Sequence, residues 1–230
     1  MGSPSFVIGS SYSILSLSED DRQRLDAEPW VFCCNSFLSH WELAGFRPTV
    51  WCWGDNHSPE LVSQVDVELS AVSHDILLQR RLRHLFVGRE EYARDVELAV
   101  RRWALPVEFY RRGEPWAPQQ HIAQTLQETI FHYASTLTDL VNFAAILNPG
   151  EEIRIVGNEL GPGFGHFYSG PREHATDEAA RFWRRVKVGM WVALGKLHQF
   201  GLPLVDCNPE HQWPMPLGVT LPRQPLFPSI

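Results

Sequence analysis

No segment of this 230-residue sequence approaches the roughly 20 consecutive apolar residues that a membrane-spanning helix requires. Positive charge is also scarce. Twenty Lys and Arg face 27 Asp and Glu, and the formal net charge of −7 argues against capture of nucleic acid through a broad basic surface. The clusters Arg80-Arg81-Leu82-Arg83, Arg101-Arg102 and Arg111-Arg112 are diluted by acidic neighbours and read as solvated helix faces. Only four cysteines occur, Cys33, Cys34, Cys52 and Cys207, with no CxxC pair and no zinc-like Cys/His spacing. Three of them sit in or beside predicted strands, where a reduced thiol behaves as a small buried hydrophobe, so a reducing compartment is expected. The opening Met1-Gly2-Ser3-Pro4-Ser5 lacks the charged start and long apolar stretch of a secretory signal and the Ser/Thr of a myristoylation site. The expectation is a cytoplasmic protein, with room for peripheral contact with an inner membrane. No glycine-rich dinucleotide fingerprint, phosphate-binding P-loop motif or DxD pair is present either.

What is present is an alternation of short apolar runs with helical spacing. Hydrophobic residues make up 44% of the chain, which at this length allows one sizeable domain with a buried core. Strands are predicted at Ser5 to Gly9, Trp30 to Cys34, Pro48 to Trp53, His84 to Val87, Pro106 to Tyr110, Ile153 to Val156 and Leu202 to Cys207. Helices are predicted from a Ser18 cap, around Phe37 to Ala44, at Asp75 to Arg83 and at Glu90 to Trp103. Two more are expected at His121 to Leu147, with a break near Ser135 and Thr136, and at Asp177 to Phe200 with Thr176 as cap. Such alternation is the pattern of a doubly wound, mainly parallel sheet with helices on both faces. Residues 1–207 form the expected domain, and the prolines from Pro209 to Pro228 predict an extended tail over 208–230. Nine Trp suggest aromatic-lined clefts as well as core.

The apolar runs break into small polar residues where parallel strands would end, and the carboxyl ends of such strands are where nucleotides bind. Gly9, Ser10 and Ser11 follow the first run, and their backbone N–H groups can approach a phosphate closely; an ordinary strand-to-helix turn is the alternative. Asn35 and Ser36 follow the second, where a carboxamide offers a donor and two acceptor sites to a ribose or a pyrimidine edge, unless Asn35 only caps the next helix. Gly54 and Asp55 end the third. Asp55 has no partner at DxD spacing, so no metal site and no cofactor are expected. Gly157 and Asn158 open the segment after Ile153 to Val156. Beyond them the stretch Gly161 to His174 combines glycines, the imidazoles of His166 and His174 and the phenol of Tyr168. It could hold a general base and a donor to a developing phosphate charge, or it could be a plain surface loop. His84, His121, His132 and His198 fall within regular patterns and are given no role.

Four stretches together resemble the bacterial CMP-sialic-acid-dependent sialyltransferases of glycosyltransferase family 42. They are Val7 to Ser11, Cys34 to Phe37, Leu140 to Gly157, and His174 to Asp177 at the start of a long helix. The likeness extends more loosely to motility-accessory and hydroxymethylpterin-pyrophosphokinase-like proteins. The resemblance implies a single Rossmann-like nucleotide-sugar domain. It places CMP contacts on Gly9, Ser10, Asn35 and Ser36, the base on His174, and leaving-group stabilisation on Tyr168. Ser10 to Ser13 stands where the family carries Asn-Gly-Pro-Ser, and Gly157-Asn158-Glu159 stands for its Gly-Xaa-Asp. Ala134 to Thr138, with Thr136 and Thr138, is the only counterpart of its Arg-Thr-Ser-Gly.

The expected function is a metal-independent glycosyltransferase that moves an acidic sugar, sialic-acid-like or Kdo, from a CMP donor to a glycan hydroxyl. The expected partners are those two substrates, with no nucleic acid and with room for a homo-oligomer. Two alternatives stay open. One is a magnesium-dependent pyrophosphokinase acting on a pterin-like substrate, with Asp55 and Glu159 as its carboxylates. The other is a non-catalytic nucleotide- or glycan-binding protein.

Overall fold

The computed structural model describes residues 2–54, 61–88, 107–114, 121–161, 166–168 and 177–228. Seven short strands form one sheet: β1 Ser5–Ile8, β2 Val31–Cys34, β3 Val50–Trp53, β4 His84–Gly88, β5 Val107–Tyr110, β6 Ile153–Val156 and β7 Leu204–Asp206. Their order is β5-β4-β3-β2-β1-β6-β7, and every pair is parallel. The chain therefore winds outward from β1 to β5, then returns beside β1 to add β6 and β7. This is the α/β, Rossmann-like arrangement expected. Its topological reversal falls between β1 and β6, the position at which such sheets take ligands at their carboxyl ends.

The strands read as continuous apolar runs because both faces of the sheet are covered. Val7, Phe32, Val50, Cys52, Phe86 and Ile155 face one core with α5 (Thr136–Leu147) and α6 (Asp177–Gln199). Phe6, Ile8, Val31 and Cys33 face the other way, toward α1 (Glu19–Ala27) and α2 (Trp41–Ala44). Trp51, Trp53, Leu85 and Val87 also face that way, against α3 (Leu61–His74) and α4 (Ile76–Arg81). Alternation within β3 shows the period of two: Val50 and Cys52 point to one core, Trp51 and Trp53 to the other. Each fully buried side chain of this kind contributes about 1.5–3 kcal/mol relative to exposure.

Local signals behave as their chemistry requires. Ser18 caps α1 in a capping box, its hydroxyl accepting from Asp21 N while the Asp21 carboxylate accepts from Ser18 N. Gly45, at φ 79°, ends α2 in the left-handed conformation. Asp75 caps α4 by accepting from Leu78 N at 2.9 Å.

Three expectations are corrected. Residues 121–135 carry no helix, although their apolar spacing predicts one. The Asn142 carboxamide, buried in α5, accepts from Phe131 N and Ala123 N and donates to Ala123 O, and Ile130 pairs with the backbone of Arg111 and Gly113, so the segment finds partners outside any helix of its own. Ala134 at φ 51° then breaks the path into α5. The helix α3 is additional. Its Ser70 and Ser73 hydroxyls bond back to Val67 O and Ser70 O, the competition that makes serine a weak helix signal. In α6 only Val186, Met190, Ala193 and Leu197 of the expected apolar series are buried, while Phe182 and Phe200 are exposed. Gly201, at φ 100°, ends the turn after that helix. The expected Glu90 to Trp103 helix and the Thr176 cap lie outside the described residues.

The segment after β7 runs along its edge. Asp206 N donates to Pro222 O, Gln224 N donates to Asp206 O, and Phe227 packs on Phe6 with ring centroids 5.1 Å apart. Among the described residues no helix is long and apolar enough to cross a membrane.

Candidate functional site

The carboxyl ends of β1, β2, β3 and β6 bring Gly9, Asn35, Gly54 and Gly157 to one edge of the sheet. Between β1 and β6 the two backbones nearly touch. Gly9 N donates to Val156 O at 2.8 Å and Ser11 N to Gly157 O at 2.9 Å. A Cβ at Gly9 would stand 2.2 Å from Gly157 O, and Gly157 itself holds φ 73° against the Ile14 side chain. Both glycines are therefore required by close approach, and the groove between these strands is closed by protein.

Ser10 stands at the opening that remains. Its carbonyl accepts from Phe167 N at 2.8 Å, and its hydroxyl meets His166 Nδ1 at 2.6 Å. Phe167 anchors that connection: its ring is buried edge-on to Phe37, with centroids 5.6 Å apart. On either side of it, His166 and Tyr168 stack at 5.0 Å, and Tyr168 stacks on His40 at 4.5 Å. Burial holds the His40 ring below its ordinary pKa. Two imidazoles and a phenol thus stand over the end of β1, both imidazoles within one stack. Such a group can hydrogen-bond a ligand or move a proton near neutrality.

Asn35 does more than cap. Its backbone is left-handed at φ 49°, its Oδ1 accepts from Gly54 N at 3.0 Å, and its carbonyl accepts from Trp51 Nε1 at 2.8 Å. The loops after β2 and β3 are thereby tied together. Its Nδ2 makes no bond among the described residues, which leaves one amide donor for a ligand. At the end of β3 the indole Nε1 of Trp53 is a buried donor without a partner among the described residues. The Ser36 hydroxyl turns to Glu68, whose buried carboxylate also accepts from Ser39 N and Oγ, both at 2.9 Å. Burial raises the Glu68 pKa, and these hydrogen bonds oppose the rise.

A second cluster closes the β5 side of the same edge. Asp139, fully buried in the first turn of α5, accepts from Tyr110 Oη, Arg112 Nε and His132 Nδ1, each at 2.7 Å. Arg112 reaches on to Gly54 O and, at 3.0 Å, to Thr136 Oγ1. Burial opposes the Arg112 charge, but Asp139 together with Tyr110 and Cys52 outweighs it, and the pKa is raised. For Tyr110, burial and then Asp139 raise the phenol well above its ordinary value. The reading of Arg111-Arg112 as a solvated helix face is thus corrected. Arg112 follows a strand, and its guanidinium is spent on a buried carboxylate. His132, given no role from sequence, belongs to this cluster. One signal was available: an Asp inside the apolar run Leu137 to Leu147 must be paired if that helix is buried.

Beyond β6, Asn158 is held on all sides. Its N–H donates to Asn208 Oδ1 at 2.9 Å, its carbonyl accepts from Trp191 Nε1 at 3.0 Å, and its Nδ2 lies 3.2 Å from Met190 Sδ. Glu159 accepts from Ser13 Oγ at 2.6 Å, and its carbonyl from Lys187 Nζ at 3.3 Å. Burial lowers the Lys187 pKa, and Glu159 offsets part of that. Of the remaining expected site residues, Thr136 is at the edge, bonded by Arg112. Thr138 lies buried, its hydroxyl used on Ser135 O and Tyr133 N. Asp55 and His174 lie outside the described residues. Among the described residues no group of three His, Cys, Asp or Glu is arranged to hold a metal ion.

A cavity of about 740 Å³ lies elsewhere, between residues 121–133 and the second half of α6, with Phe131, Tyr133 and Leu197 in its lining. The candidate site is a convergence of polar groups rather than a deep pocket, and the chemistry of those groups outweighs volume here. No family model, curated protein or solved structure matches this chain.

Proposed function

We propose that the protein is a metal-independent glycosyltransferase that moves an acidic sugar from a CMP donor to a glycan hydroxyl, with the donor at the carboxyl edge of β1, β2 and β3. One observation carries the reading: Ser10 beside the topological reversal, bonded to His166 and facing the His166, Tyr168 and His40 stack. The free Nδ2 of Asn35 supports it as a donor to the cytosine O2 or a ribose hydroxyl. The resemblance of Val7 to Ser11 and Cys34 to Phe37 to family 42 sialyltransferases points the same way.

In this reading Ser10 and Asn35 orient the nucleotide, since the Gly9 N–H is already taken by Val156 O. The bond between the anomeric carbon and the phosphate oxygen breaks, and its electron pair leaves with CMP. Tyr168 donates a hydrogen bond to that phosphate as charge builds on it. The acceptor oxygen bonds to the opposite face of the anomeric carbon, inverting it, and the acceptor proton passes to His174.

Calorimetric titration with CMP, UDP, GDP and ATP tests the binding half, with CMP expected to bind tightest. His174→Ala should lower turnover roughly a hundredfold and leave CMP affinity nearly unchanged. Transfer is expected to survive EDTA. Failure to bind CMP at millimolar concentration overturns the reading, and activity lost with EDTA moves it to the magnesium-dependent pyrophosphokinase.

A further inference from the structure

At the opposite, amino-terminal edge of the sheet, the segments entering β2, β3 and β4 enclose a cavity of about 410 Å³ lined by Asp26, Glu28, Arg47, Arg80, Arg81 and Arg83. Arg81 is partly buried at this cavity and is held entirely by carbonyls. Its Nε donates to Arg47 O at 2.7 Å, and its Nη2 to Leu25 O at 2.6 Å and Glu28 O at 3.0 Å. Carbonyl dipoles satisfy the hydrogen bonds of a guanidinium but leave its charge uncompensated. Arg81 forms no ion pair among the described residues. The carboxylate that offsets it most, Asp26, is already taken by Arg47, which donates to it from N at 2.7 Å and Nη1 at 3.2 Å. Asp75 is likewise paired with Arg47, at 3.0 Å.

Arg80 and Arg83 stand exposed at the same opening, with no ion pair among the described residues. Arg83 lies over the Trp30 ring, 5.8 Å from its centroid. Four guanidiniums therefore face Asp26, Asp75 and Glu28, and burial favours the neutral form of the Glu28 carboxyl against the pull of Arg154, Arg24 and Arg81. In a chain of net charge −7 this is a local reversal of sign. The planar fork of arginine matches the paired oxygens of a phosphate, and several guanidiniums together suit its higher charge. On α4, beside the arginines, Ile76 and Leu77 are 63% and 60% exposed, and Leu77 also lines the cavity.

We propose that this amino-edge cavity is a second, anion-binding site that takes a phosphate group, supplied either in solution or by the headgroup of an anionic lipid. A soluble phosphate would engage the arginines alone. A lipid headgroup would in addition let Ile76 and Leu77 enter the interface, the usual pairing of cations with apolar side chains at a membrane surface. The site lies at the other end of the strands from Ser10 and Asn35, so it does not depend on the glycosyltransferase reading.

The test uses the full chain. Inorganic pyrophosphate is titrated by calorimetry, and the protein is sedimented with vesicles of phosphatidylglycerol and phosphatidylcholine, with pure phosphatidylcholine as control. Binding to at least one phosphate probe is expected, weakened about tenfold in R80A/R83A, two exposed positions whose loss leaves the fold intact. Raising the salt weakens that binding, because exposed charges are screened. An I76S/L77S variant that loses vesicles identifies the lipid source; capture of pyrophosphate without vesicle binding identifies the soluble one. Binding to neither probe, or binding that R80A/R83A leaves unchanged, overturns the proposal. CMP affinity in R80A/R83A stays that of the wild type, so its absence would reflect on the other edge of the sheet.

Discussion

The two flanks of the carboxyl edge are built on opposite principles. On the β5 side, Asp139 is fully buried and Arg112 largely so, and Tyr110, His132, Thr136 and Gly54 take up further hydrogen bonds of the pair. On the β1 side, a 2.6 Å hydrogen bond joins Ser10 to His166, and the rings of His166, Tyr168 and His40 stack at the partly buried surface. A buried charge network must be complete or it costs the fold several kcal/mol. Neutral, half-buried groups can exchange a protein partner for a ligand at little cost. The β5 flank therefore braces the edge, and the β1 flank is where the proposed chemistry is assigned.

The sharpest way to break this comparison is to remove the buried carboxylate. Asp139→Ala strands the Arg112 guanidinium and is expected to cost about 3–5 kcal/mol in urea unfolding. Joining Arg112→Met to Asp139→Leu should recover only part of that loss, since no charge is left unpaired but Tyr110 Oη and His132 Nδ1 lose their acceptor. Next comes Gly9→Val. Its Cβ would stand 2.2 Å from a backbone oxygen that cannot move aside cheaply, and a loss of at least about 1–3 kcal/mol is expected in the same measurement.

Asn35→Ala removes the bond to Gly54 N and leaves a less tolerant residue in the left-handed region. About 1–2 kcal/mol of stability should go, together with CMP affinity measured by calorimetry. Ser10→Ala should cost under about 1 kcal/mol of stability yet lower turnover of the CMP-sugar donor at least roughly tenfold. If Ser10→Ala unfolds the protein as Asp139→Ala does, the contrast between the flanks is wrong.

The smallest effect is in pH. Burial depresses the His40 pKa, so the folded state binds fewer protons than the unfolded one. The His40 contribution is full above the ordinary histidine range and is lost as the pH falls through the folded-state value. His40→Phe keeps a ring against Tyr168 and should flatten the acid side of a plot of unfolding midpoint against pH between about 5 and 8.

Much of the fold was legible. Continuous apolar runs such as Phe6-Val7-Ile8 and Ile153 to Val156 fit parallel strands covered on both faces, and Ser18, Asp75 and Gly45 mark helix ends through local chemistry. The failures have a common cause. His121 to Phe131 has helical spacing but takes backbone partners from Asn142 and from residues 111–113, and Arg112 looks solvated until Asp139 is brought to it. Arg81, read as part of a solvated run, instead holds three carbonyls. Each depends on a partner at least 11 positions away, beyond the reach of local pattern.

By itself, then, the amino-acid order determined which segments become strands and where polar loops follow them, because burial period and capping are settled within a few neighbouring residues. Only the tertiary structure decided that Ser10 meets His166, 156 positions away, and that Asp139 receives both Arg112 and His132. Those contacts follow from the order in which seven strands lie side by side and from which face each helix covers. That choice is made by packing the whole core at once, and no single stretch of the chain encodes it.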